Sequence, residues 1–193
     1  MEIEFIKVLN PWGESFGGNQ SSFVNYNRGR LIKKCGCGLI ALCDTILSVK
    51  KQGAVQWIEY KDFVCEKARA LSLSDIFGIR PKKIVKILNN ALPDYAFRFI
   101  PKRKLTAESL RNYFEKSTET GVPVIVRIGE NRKKLSYKMD GSERKMRWHY
   151  ITVTDIKNDK LTFFSWGSKG EMLCSELYRF FGITGGIIIN EKN

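Results

Sequence analysis

The chain contains one histidine, His149, at the head of the strand-like run His149-Tyr150-Ile151-Thr152-Val153-Thr154-Asp155-Ile156. Far upstream, Cys35-Gly36-Cys37-Gly38 leads into an apolar stretch with helical spacing. A cysteine opening a helix and a histidine opening a strand suit thiol-based acyl transfer. With a single imidazole, any Cys/His chemistry must pass through His149. A thiol attacks as thiolate, and an ordinary cysteine, near pKa ~8.5, is mostly protonated at neutral pH. A helix N-terminus and a neighbouring imidazolium would each lower that value. Cys37 is the preferred nucleophile because the helical stripe starts directly after it, in Cys37-Gly38-Leu39-Ile40-Ala41-Leu42; Cys35 is the rival. Gly36 and Gly38 would let a substrate carbonyl approach the backbone, with the Cys37 N–H as one oxyanion donor. The plainer alternative is two small residues in a tight turn and a packed histidine beside Trp148.

A base of this kind is usually oriented by a third polar group. Alternation in Leu161-Thr162-Phe163-Phe164-Ser165-Trp166-Gly167 puts Leu161, Phe163 and Ser165 on one face. Hairpin pairing would bring Ser165 near the start of the preceding strand, where His149 lies. Asp155 is excluded, because six residues of extended chain hold it about 20 Å from the imidazole.

The elements that must carry these residues are legible in outline. Apolar positions 39, 42, 43 and 46 make a helical stripe from Cys37 to about Lys50. Residues 59–71 and 81–91 read as further helices, with Pro81 in a first turn. Residues 95–100 read as extended, and 106–118 as a helix with Thr106 at its N-cap. Gly121-Val122-Pro123-Val124-Ile125-Val126-Arg127-Ile128 reads as a buried strand. A basic segment from Gly129 to Arg147 reads as a mobile flap. Strands at 149–156 and 161–166 follow, joined by a turn at 157–160, with a last strand at 185–189. Helices come first and an antiparallel sheet second, which makes an α+β fold in two lobes with any cleft between them. The expected organisation is one domain over 1–193: an irregular N-terminal loop (1–36), a mainly helical lobe (37–118) and an antiparallel β lobe (119–193).

Composition narrows the classes. An apolar content of 43% excludes wholesale disorder. No apolar run approaches the roughly 18–20 residues of a membrane-spanning helix. The opening Met1-Glu2-Ile3-Glu4-Phe5-Ile6-Lys7 lacks the order of a secretory signal, so a cytoplasmic location is the expectation. Five cysteines, an odd number without paired spacing, do not form a disulfide framework. Cys-x-Cys with no second pair and one histidine gives no zinc site, and no cofactor is called for. Cys43 and Cys65 fall on helical faces as inert core, and Cys174 carries no signal. Lys and Arg number 33 against 20 Asp and Glu, a net charge of +13. That field would attract an acidic substrate or another polyanion. No nucleic-acid-binding motif accompanies it, which argues against nucleic acid as the partner. The sequence does not specify an oligomeric state.

Four pieces, in order, resemble the papain-like cysteine peptidase superfamily, in particular the bacterial branch of double-glycine peptidases that trim bacteriocin leaders. Cys37-Gly38-Leu39-Ile40-Ala41 resembles that branch's Cys-Gly-x-x-Ala helix start. Gly121-Val122-Pro123-Val124 resembles its Gly-x-Pro-Val strand, and His149-Tyr150-Ile151-Thr152-Val153 its catalytic-histidine strand. Ser165-Trp166-Gly167 is similar to the Ser-Trp-Gly that follows the orienting Asn in papain-type enzymes. The resemblance implies a papain-like fold, with Cys37 on the helical lobe and His149 on the β lobe, and a cysteine peptidase or amidase acting on a peptide or amide substrate, with acidic peptides favoured by the charge. Acyl transfer to an amine would use the same scaffold.

Two departures matter. The family's oxyanion glutamine lies six residues before the nucleophile, where this chain has Leu31; Gln20 is the chosen substitute, with Asn25 and Asn27 as alternatives. The orienting Asn or Asp is missing, with Phe164 or Ser165 in its place according to the alignment. The alternative function is a catalytically weak or inactive binding module whose basic surface meets an anionic partner.

Overall fold

The computed structural model describes residues 3–23, 25–26, 29–50, 53–70, 78–130 and 135–191; the side chain of Cys35 also lies outside the described set. Two strands come first, β1 (Lys7–Asn10) and β2 (Gly13–Phe16), then a 3-10 turn at Gln20–Phe23 and a short helix, α1 (Gly29–Cys35). Gly36 alone separates α1 from α2 (Cys37–Val49). The first 36 residues are therefore not the irregular loop that their Gly, Asn and Ser content suggests. β1 pairs antiparallel with β2 and parallel with β3 (Ala54–Gln56), which stitches the opening segment to the chain beyond α2.

Helices α3 (Trp57–Ala68) and α4 (Pro81–Ala91) stand close to where periodicity puts them, and Pro81 occupies the first turn of α4. β4 (Phe97–Pro101) leads to α5 (Ala107–Thr120). Thr106 caps α5: its Oγ1 accepts from the Ser109 N–H at 3.0 Å, and Ser109 Oγ accepts from the Thr106 N–H at 2.9 Å. The rest is mostly strand: β5 (Val124–Ile128), β6 (Leu135–Met139), β7 (Ser142–Met146), β8 (His149–Lys157), β9 (Lys160–Ser165), β10 (Ser168–Leu173) and β11 (Gly186–Asn190), with α6 (Cys174–Phe180) before the last. These join β4 in an antiparallel sheet of order β4-β11-β5-β8-β9-β10-β6-β7. Helices and one large antiparallel sheet make a mixed α+β fold. The sheet takes its edge strand, β4, from the part of the chain expected to be helical.

The basic segment from 129 to 147 is not a loose flap. Residues 135–146 form the β6–β7 hairpin, and β6 pairs with β10 through Met139↔Gly170. Leu135, Tyr137, Met139 and Met146 are buried, so apolar alternation pins the hairpin although its outer face is charged. Arg132, Lys133 and Lys134 lie outside the described residues.

Strand alternation sends side chains into two cores. Ile125, Tyr150, Phe164 and Ile188 join the cluster formed with α2, α3 and α4. Val124, Val126, Ile151, Val153, Phe163, Ile187 and Ile189 join the cluster formed with α5 and α6. Every residue of α2 from Gly38 to Ser48 is buried, so this helix is apolar nearly all round. Its few polar groups are paired: Thr45 Oγ1–H donates to the Ala41 carbonyl at 2.8 Å, and Ser48 Oγ accepts from the Ile6 N–H at 3.1 Å. Among the described residues, no helix is long and apolar enough to cross a membrane.

Candidate active site

Cys37 is the first residue of α2, as expected, but its setting differs from a bare helix N-terminus. α1 runs up to Cys35, and Gly36 has helical angles, φ −81° and ψ 0°. The carbonyl end of α1, with its partial negative charge, thus stands one residue before the positive end of α2. A Cβ on Gly36 would lie 2.3 Å from the Ile32 carbonyl oxygen, so only glycine allows this junction. A Cβ on Gly38 would lie 2.3 Å from Ile79 Cγ2 and 3.1 Å from the Tyr150 ring. The space that Gly38 leaves is filled by these two residues rather than kept for a substrate. Tyr150 closes the contact by donating its hydroxyl to the Ile79 carbonyl at 2.7 Å.

His149 opens β8, directly after Trp148, whose φ is +51°. The β9–β10 hairpin brings its partner. Ser165 and Ser168 face one another across a two-residue turn of Trp166 and Gly167, with φ of +51° and +80°. Positive φ at both central positions is the turn that matches strand twist. Glycine adopts it freely, whereas a tryptophan there costs about 1–2 kcal/mol. In that strained position the Trp166 ring stacks on the His149 imidazole, centroids 3.8 Å apart and planes 11° apart. Ser165 Oγ lies 2.6 Å from His149 Nε2. The expected Ser165–His149 proximity is present. Phe164 is instead stacked on Phe5 at 4.1 Å. Asp155 is paired with Lys157 at 2.9 Å.

His149 is 6% exposed, and burial pushes its pKa down to about 3. The imidazole is therefore neutral at physiological pH. This counts against the resting imidazolium that would form an ion pair with a thiolate. Burial likewise pushes up the thiols of Cys43, Cys65 and Cys174, the last to about 11, which leaves them poor nucleophiles.

Gln20 heads the 3-10 turn. Its Nε2 donates to the Lys33 carbonyl at 2.8 Å, and its Oε1 is buried without a hydrogen-bond partner among the described residues. Asn25 is exposed, and Asn27 lies outside the described residues. Gln20, Cys37, His149 and Ser165 line one small pocket of about 10 Å³, together with Trp166 and Asp44. That volume holds about one water.

Asp44 escaped the sequence reading. It lies seven residues after Cys37, two turns along the same helix face. Only 4% exposed, it accepts the Tyr60 hydroxyl at 2.6 Å and the Gly18 N–H at 3.2 Å, both through Oδ1. Burial raises its pKa to about 8 against the lowering effect of those two bonds. A Cβ on Gly18 would fall 2.1 Å from the Tyr60 hydroxyl, so the loop lies hard against this pair just before Gln20. A carboxylate inside the apolar run Leu42-Cys43-Asp44-Thr45-Ile46 was the available signal.

Fold and pocket together define a mixed α+β protein in which half-buried Cys37 and Ser165 line one pocket with the buried His149. Among the described residues, no group of three or more His, Cys, Asp or Glu side chains is placed to hold a metal ion. No family model matches the chain, and no curated protein does. Among solved structures, the crystal structure of the Pseudomonas avirulence protein AvrPphB is similar, at 10% identity over 89% of this chain and 98% of that one. The TM-score is 0.38, a likeness too weak to argue from.

Proposed function

We propose that the protein is a cysteine hydrolase of peptide or amide bonds. The observation that supports this best is the convergence of Cys37, His149, Ser165 and Gln20 on one pocket, with His149 Nε2 held at 2.6 Å by Ser165 Oγ. With Nε2–H donating to that oxygen, Nδ1 is the nitrogen left to accept a proton. As the Cys37 sulfur attacks the carbonyl carbon, its proton passes to Nδ1 and the carbonyl electron pair moves to oxygen. Collapse expels the amine, which takes the proton back from His149 and leaves a thioester. Water then repeats the step with the same base. An amide NH2 carries two hydrogens, so Gln20 can hold the Lys33 carbonyl with one and the developing oxyanion with the other.

A serine hydroxyl stabilises an imidazolium less than a carboxylate does, and burial disfavours that cation further. Both predict slow turnover. The finer assignment, a papain-like two-lobed peptidase of the double-glycine branch, rests on the four sequence motifs and belongs to the same proposal. The small volume of about 10 Å³ favours a second reading, a scaffold of this kind that binds without cleaving.

A covalent acyl-warhead probe separates the two readings. Hydrolase chemistry gives one adduct on Cys37, lost in Cys37→Ala, at least tenfold slower in His149→Ala and unchanged in Cys35→Ala. Labelling that is equal and slow at Cys37 and Cys65, and indifferent to His149, would leave the binding module.

A further inference from the structure

We propose that the hollow at the His149 end of the sheet binds acidic side chains of a peptide. It is lined by Lys102, Arg147 and Arg179 and has a volume of about 860 Å³, a size that accommodates several residues. Its cations come from three separated parts of the chain: the turn after β4, the residue two before His149, and α6. Two of them are steadied by aromatic rings. Lys102 Nζ lies 3.3 Å above the Tyr178 ring, and the Arg179 guanidinium 5.1 Å from that of Phe180. Arg179 also reaches Glu176 at 3.8 Å.

The hollow is not uniformly basic. Glu130 stands on its wall, and Ile183, 93% exposed, offers an apolar contact at its rim. Among the described residues, three lining cations, one of them shared with Glu176, against the single lining carboxylate and beside an exposed isoleucine suit a short peptide with acidic and apolar residues better than a phosphate backbone, which calls for a continuous basic track. Register ties the hollow to the candidate site. His149 pairs with Ile128 across β8 and β5, and Arg147 and Glu130 each lie two residues beyond that pair. The backbone of Arg147 therefore lies no more than about 7 Å from that of His149, which puts the hollow next to the first residue of the imidazole strand. Calling this peptide a substrate rests on the hydrolase reading; its binding does not.

The test uses the full chain with Cys37→Ala, so that affinity is read without turnover. Fluorescein-labelled hexaglutamate is titrated by fluorescence anisotropy at low salt. Arg147→Ala with Arg179→Ala weakens binding at least tenfold, Glu130→Gln tightens it, and hexaglutamine does not bind. The control pair Lys82→Ala with Lys86→Ala, exposed on α4 and removing the same charge, changes affinity less than twofold. Equal losses in the two pairs would reduce the effect to net charge and overturn the proposal. So would an oligothymidylate of equal charge that binds more tightly and responds to the same variants.

Discussion

His149 is the only imidazole in the chain, so its Hε1 proton gives an unambiguous titrating signal in a proton NMR spectrum. With burial holding its pKa near 3, that signal should stay flat from pH 8 to pH 5 in the native protein and titrate near ~6.5 in urea. A native midpoint above 6 would restore the ion-pair model. Removing the hydroxyl in Ser165→Ala leaves a buried ring nitrogen without its partner, at a cost of about 1–3 kcal/mol in unfolding free energy measured in urea. It should also slow labelling of Cys37, whereas Phe163→Leu, in the core on the other face of the sheet, should not. Cys37 and His149 were legible because their residue types are scarce and both open an element; Ser165 was legible because strand alternation and hairpin pairing bring it back to His149. Asp44 was not, since a helix stripe read for its apolar positions passes over the carboxylate within it. Nor could the sequence reveal how strongly His149 is buried: that depends on Trp166 taking a left-handed turn position to lie over the ring.

The elements differ in how openly the chain announces them. The helix from Pro81 and the capped helix after Thr106 carry their signals within a few residues. β10 does not: Ser168-Lys169-Gly170-Glu171-Met172-Leu173 holds a glycine that reads as a breaker. In the sheet, a Cβ at Gly170 would lie 2.4 Å from the Phe163 ring, so the glycine makes room for its neighbour strand. β1 and β3 are short and find one another across α2, which no local pattern encodes. The α1–α2 junction can be tested directly. Gly36→Ala drives a methyl into the Ile32 carbonyl, and backbone cannot step aside as a side chain can. A loss of about 2–4 kcal/mol in urea unfolding is expected, in the range of severe overpacking. Gly141→Ala, at φ +76° with nothing within 4 Å, should cost only about 1 kcal/mol of backbone strain. Equal losses would mean that the junction is not tightly packed.

At the scale of the whole molecule, two buried groups pull stability in opposite directions with pH. Asp44 has its pKa raised from 3.8 to about 8, so the native state holds a proton that the unfolded chain has released, and stability falls as pH rises through that interval. His149 has its pKa lowered from 6.5 to about 3, so stability is kept above 6.5 and lost as pH falls below it. The two slopes offset one another between about pH 4 and 6.5. From 6.5 to 8 Asp44 acts alone, at up to about 1.4 kcal/mol per pH unit. The unfolding free energy from urea titrations should therefore drop by about 2 kcal/mol from pH 6.5 to 8 in the native sequence, and by much less in Asp44→Asn. An unchanged drop in that variant would place the titrating group elsewhere.

The hairpin tip beneath the imidazole is moored to the opening strands, since the Phe16 N–H donates to the Gly167 carbonyl at 2.9 Å and the Gly17 N–H to that of Ile6 at 2.8 Å. One break of the backbone between Ser15 and Gly18 would slacken both the support under His149 and the arm that carries Gln20. These ties are main-chain bonds and Gly17 and Gly18 are buried, so exchanging side chains at the exposed positions around them leaves the mooring in place.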